Sequence, residues 1–127
     1  MIVAGIGCRS GVTTEQVEAA LEAALRQTAT LTLIAVPAAK SGERAIVAAA
    51  TARGVPLASI TQTDLEAANA RTLTRSKHAL AAMNVHSVAE AAALAGAGPD
   101  SELLGARIVV GPVTCALAGP PQKGLTG

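Results

Sequence analysis

A chain of 127 residues that is half apolar and only 15% charged suits one folded domain and excludes intrinsic disorder. Its net charge of +1 gives no broad field for nucleic acid or a membrane surface, and no apolar run approaches the ~20 residues of a membrane span. There is no Phe, Tyr or Trp, so the core must come from Ala, Val, Leu and Ile, and single-stranded nucleic acid, usually held on aromatic platforms, is a poor partner.

The chain opens on a strand, Ile2 to Ile6, rich in β-branched residues. No basic stretch precedes an apolar run, so no secretory leader is expected and the two cysteines should be reduced thiols in the cytoplasm. A glycine-punctuated loop, Gly5 to Gly11, follows. Thr13 with Gln16 matches a capping box, and Val17, Ala20, Leu21, Ala24 and Leu25 then recur at helical spacing.

The pattern repeats. Leu31 to Val36 reads as a buried strand broken by Pro37, with Lys40 in the next loop. Ser41 is expected to cap a helix over Glu43 to Arg53, with Gly54 as its stop and Pro56 beyond. Val55 to Ile60 is a third strand, and Thr63 with Glu66 suggests a capping box opening a short helix to about Asn69. Ser76 to Ala82 reads as helical, and Ser87 with Glu90 opens a helix ending near Gly96. Leu103 and Leu104 begin a late strand or turn; Val113 to Ala118 is the last strand, and Gly111-Pro112 between them suggests a hairpin. The domain is expected to span 1–118, with 119–127 as a frayed, Gly- and Pro-rich tail.

Strands alternating with helices predict an α/β domain: three layers, α/β/α, on a mainly parallel sheet that a C-terminal hairpin would make mixed. Right-handed crossovers place the strand-to-helix loops at one edge of the sheet, where ligands of such sheets bind.

Candidate site residues follow from that edge. The backbone of Gly7, Cys8, Arg9, Ser10 and Gly11 could approach an anion closely, although a plain tight turn explains the glycines equally well. Arg9 and Lys40 would bring two cations to one cleft, and a guanidinium can grip a carboxylate with two hydrogen bonds. Cys8 is a candidate nucleophile if a helix start lowers its pKa, set against the commoner role of a small buried filler. Glu43 could orient Lys40 or simply favour a helix dipole. Ser76 and Ser87 read as caps, either of which could also donate to an anion. Cys115 reads as core, and His78 and His86 form no metal-ligand spacing with either cysteine, so no metal site is expected. A phosphate- or nucleotide-binding module remains an alternative, weakened by the missing third glycine and the missing Gly-Lys-Ser/Thr.

Several segments, in order, resemble the CobE / CbiG C-terminal family of cobalamin biosynthesis. They are Gly5-Ile6-Gly7-Cys8-Arg9, Thr14 to Ala20, Lys40 with Glu43, Gly54-Val55-Pro56-Leu57, Ser76, Val85 to Leu94, and Val113 to Ala118. The resemblance implies work on a precorrin or corrin. Some relatives form the C-terminal part of a cobalt-precorrin-5A hydrolase, which opens a lactone and releases acetaldehyde. Others stand alone and accompany ring modification, and this chain looks like the stand-alone form. Hydrolase-type relatives carry a Thr-Ile-Asp-like run before the lysine; here Val36-Pro37-Ala38 stands there, without hydroxyl or carboxylate. That departure favours binding, as carrier, chaperone or accessory, over hydrolysis, for which Cys8 or Glu43 would be the reactive groups. No cofactor is implied. The expected partners are the tetrapyrrole and other enzymes of the pathway, with the chain a monomer or homodimer and no nucleic acid or membrane involved.

Overall fold

The computed structural model of the protein describes residues 1–26 and 30–121. Six strands and five α-helices follow one another along it: β1 (Val3–Cys8), α1 (Thr14–Ala24), β2 (Leu33–Pro37), α2 (Arg44–Arg53), β3 (Leu57–Ile60), α3 (Gln62–Ala68), α4 (Lys77–Met83), α5 (Val88–Ala97), β4 (Glu102–Leu103), β5 (Ile108–Val110) and β6 (Val113–Gly119). The sheet runs β3-β2-β1-β6-β4, with β5 also paired to β6. β1, β2 and β3 are parallel. β6 lies antiparallel beside β1 and carries β4 and β5 antiparallel on its far side. The expected three-layer α/β fold with a mixed sheet is therefore present, although β6 makes three of the five strand pairings antiparallel where a mainly parallel sheet was expected, and Val110 pairs with Val113 across Gly111-Pro112 in a hairpin.

Alternation along β1 sends successive side chains to opposite layers. Ala4 and Ile6 face a core with Val17 and Leu21 of α1 and Ile46 of α2; Val3 faces a second core with Leu65 of α3 and Ala91 and Leu94 of α5. The two crossovers β1-α1-β2 and β2-α2-β3 move the same way along the sheet, so α1 and α2 share a face. The chain then returns on the other face as α3, α4 and α5.

Local signals explain most element ends. The Thr13–Gln16 box opens α1: Gln16 N donates to Thr13 Oγ1 at 3.1 Å, and Thr13 N donates to Gln16 Oε1 at 2.9 Å. Gly54 closes α2 in the left-handed region at φ 68°. Ser76 and Ser87 cap α4 and α5. Two expected caps are displaced. A 3-10 turn, Ala38–Lys40, follows β2, and Ser41 closes it by donating from Oγ to Ala38 O at 2.8 Å; α2 starts at Arg44, with Glu43 at its cap position and no side-chain bond there. α3 starts two residues earlier than Thr63 implies: Thr61 is its cap, accepting from Asp64 N at 3.1 Å. Thr61-Asp64 and Thr63-Glu66 are equally good three-residue frames, and the end of β3 at Ile60 selects the first.

The Gly5-Ile6-Gly7-Cys8 stretch is not loop but the carboxyl half of β1, in register with Val113 to Ala116. Its glycines are packing positions. A Cβ on Gly5 would lie 2.0 Å from Ala89 O and 2.5 Å from Ala93 N. α5 thus lies with its backbone almost on the strand, which only glycine permits. β6 runs one residue past the expected domain end, to Gly119; residues 122–127 of the expected tail lie outside the described residues.

Candidate ligand cavity at the carboxyl edge of the sheet

The loops after β1 and β2 meet at the carboxyl edge, and the structure ties them together. Lys40 Nζ donates to Ser10 Oγ at 3.0 Å. Gly11, at φ +88°, turns the chain, and its N–H donates to Glu43 Oε2 at 3.5 Å. Beside these loops opens a cavity of about 490 Å³, within the usual range for small-molecule sites. Its lining joins Gly7, Cys8, Arg9 and Ser10 with Pro37 and Lys40. α4 contributes His78, Ala79, Ala82 and Met83; α5 contributes Val88; the C-terminal hairpin contributes Arg107, Pro112 and Thr114.

Of the residues singled out in the sequence, Gly7, Cys8, Arg9, Ser10 and Lys40 line this cavity, whereas Gly11, Glu43 and Ser76 do not. Gly11 and Glu43 brace the loop from behind. Ser76 Oγ is occupied in capping α4, accepting from Ala79 N at 3.1 Å. The two arginines of the lining, Arg9 and Arg107, are uncommitted: among the described residues neither guanidinium has a hydrogen bond or ion pair. Among the described residues the lining contains no carboxylate.

Cys8 ends β1 six residues before α1 begins at Thr14, so it does not stand at the helix start. Burial raises its pKa, with Lys40 pulling it down and Glu43 pushing it up. The thiol therefore stays protonated at neutral pH, which suits a wall of the cavity better than a nucleophile. Cys115 is core, its thiol pushed up to about 12 by burial, and both cysteines are free. Among the described residues no group of three or more His, Cys, Asp or Glu side chains is placed to hold a metal ion, and no helix is long and apolar enough to cross a membrane.

Sequence reasoning missed the wall formed by α4 and the hairpin. It also misread Glu90. That side chain does not fold back onto Ser87 as a capping-box acid. It is fully buried, its Oε1 accepting from Leu73 N (2.7 Å) and Thr74 N (2.9 Å), its Oε2 from Thr74 Oγ1 (2.6 Å) and Arg107 N (2.8 Å). Burial alone would push this carboxyl up, but the bonds from Thr74, Arg107 and Leu73 outweigh it and hold the pKa below its ordinary value. The one signal available was Arg107 standing just ahead of the Ile108–Val110 run and its return turn.

Residues 2–118 match the family described as cobalamin synthesis G C-terminus. A protein named CobE from a Sinorhizobium species is 39% identical over 123 residues, covering 94% of this chain and 80% of that one. The crystal structure of a CobE described as a protein from the cobalamin (vitamin B12) biosynthetic pathway is 34% identical, covers 93% of this chain and 89% of its own, and superposes with a TM-score of 0.86. A cobalamin biosynthesis protein, chiG, from Agrobacterium tumefaciens C58 is 39% identical with a TM-score of 0.77, over 96% of this chain and 100% of that one.

Proposed function

Since the chain belongs to the CobE / CbiG C-terminal family of cobalamin biosynthesis proteins, we propose that its cavity binds a precorrin or corrin intermediate in the cytoplasm, as a carrier, chaperone or accessory to ring modification. The observation that carries this reading is the lining itself. Arg9 and Lys40 stand in one cavity with apolar Ala79, Ala82, Met83 and Val88 and, among the described residues, with no carboxylate. Such a lining complements an apolar macrocycle edged with acetates and propionates.

Each part has a stated task. Arg9, uncommitted among the described residues, takes a peripheral carboxylate, two oxygens to one guanidinium. Lys40, steadied by Ser10, adds a point charge, and the Ser10 hydroxyl can still donate. The Gly7–Ser10 backbone and the apolar wall meet the ring edge. Nothing in this arrangement requires a reaction: the Cys8 thiol stays protonated, and Glu43 is engaged with Gly11 outside the lining.

The test is an anaerobic titration of the protein with late precorrins and a ring-contracted corrin, followed by absorbance, with acetaldehyde assayed in the same tubes. A saturable spectral shift without acetaldehyde is the expected result. Catalytic acetaldehyde release would replace the carrier with a lactone hydrolase. No shift with any tetrapyrrole, together with thermal stabilisation by nucleotides, would replace it with a phosphate-binding module.

A further inference from the structure

Arg107 reaches the cavity from the side opposite Lys40. Lys40 follows β2, and Arg107 precedes β5, which lies three strand spacings away in the order β2-β1-β6-β5. Arg9, after β1, stands between them. The Arg107 guanidinium has no partner among the described residues, while its backbone is fixed: its N–H donates to the buried Glu90 carboxylate. The same carboxylate holds Leu73 and Thr74, just ahead of α4, whose Ala79, Ala82 and Met83 form the apolar wall. One buried charge therefore joins two cavity walls that are distant in sequence.

We propose that Arg107 is a second carboxylate-binding group, facing Arg9 and Lys40 across the cavity, and that Glu90 is the residue that positions it. This rests on the reading of the cavity as a tetrapyrrole site and sharpens it. A ligand gripped at both sides must carry free carboxylates on separated edges, so the site selects a polycarboxylate over the same ring with its acids esterified or converted to neutral amides. A buried carboxylate suits the positioning task because it accepts from several backbone amides at once. Glutamine in its place has one acceptor oxygen and sets its NH₂ group against amide donors.

The experiment measures the affinity of a cobalt-free, ring-contracted corrin with free acetate and propionate groups, and of its full methyl ester, for the wild type, Arg107→Ala, Glu90→Gln and the double variant. Circular dichroism confirms folding at the assay temperature. Arg107→Ala is expected to weaken the free acid roughly tenfold or more, as loss of a charge-assisted hydrogen bond does, and to flatten the salt dependence. The ester should bind the wild type and Arg107→Ala about equally. Glu90→Gln should weaken the acid by a similar factor, and the double variant by no more than either single change. Unchanged affinity in Arg107→Ala would overturn the proposal while leaving the tetrapyrrole site standing. Multiplying effects in the double variant would make Glu90 a structural residue only. If the wild type binds no corrin, the tetrapyrrole reading fails instead. Citrate is then titrated while the Arg107 Nε–H resonance is followed. A shift in the wild type that is lost in Glu90→Gln supports the pair, and no shift overturns it.

Discussion

The two faces of the sheet are built on different principles. On the α1/α2 face, helices stand off the strands on aliphatic side chains: Ile6, Val17, Leu21, Ile34 and Ile46 interdigitate at full burial. On the α5 face the spacer is missing. Ala89, Ala91, Ala92 and Ala93 lie against a strand that presents glycine, and the largest buried polar group, Glu90, sits within that helix. The first face is a core of shape and volume, which tolerates repacking. The second is a backbone-to-backbone contact that fixes how far Val88 at the start of α5 stands from Cys8 at the end of β1. The cavity opens beside that contact, so its dimensions are inherited from the less forgiving face.

The contrast can be broken most severely at Gly5. Gly5→Ala would press a methyl into Ala89 O, and with backbone on both sides nothing flexible can yield; a loss of about 4 kcal/mol or more is expected, checked by urea denaturation. On the other face Leu21→Ala should cost about 3 kcal/mol, the ordinary price of a buried leucine cavity, measured the same way. If Gly5→Ala proved milder than Leu21→Ala, the distinction between the faces would fail.

Glu90→Gln should cost about 2 kcal/mol at neutral pH, and its pH dependence identifies the cause. The folded-state pKa of Glu90 is lowered, so its stabilisation is fully present above the unfolded value of about 4.3 and is lost as pH falls through the folded value. The stability gap between wild type and Glu90→Gln should therefore narrow below pH of about 4.3. A gap unchanged into strong acid would mean that packing, not charge, explains the variant. The smallest effect belongs to Thr13→Ala, which removes the α1 cap and should cost about 1 kcal/mol, read as a small drop in thermal midpoint.

These effects also mark what was legible in the sequence. Thr13, Gly54, Ser76 and Ser87 do their work within a few residues of themselves, so pattern sufficed. Thr63 was expected to cap α3, but the cap is Thr61 because β3 ends at Ile60, a boundary that the local pattern did not mark. Gly5 and Gly7 read as loop because their reason for being glycine, Ala89 on α5 and the Thr114 hydroxyl on β6, is remote in the chain. Glu90 looked like a capping acid for the same reason: its partners at 73, 74 and 107 are tertiary. Half of the cavity was readable because parallel strands deliver their loops to one edge, which placed Arg9 and Lys40. The other half comes from an antiparallel hairpin and a helix without a strong periodic signature, and no local rule places Arg107 or Met83 beside Arg9.

Amide chemical-shift mapping during titration with the free-acid corrin tests whether a polyanionic tetrapyrrole occupies this cavity. Perturbations are expected to concentrate at Gly7 to Ser10, Lys40, His78 to Met83, Val88 and Arg107, and to be strongly reduced in Arg9→Ala. Saturable binding whose perturbations fall elsewhere, or persist undiminished in Arg9→Ala, would contradict that occupancy.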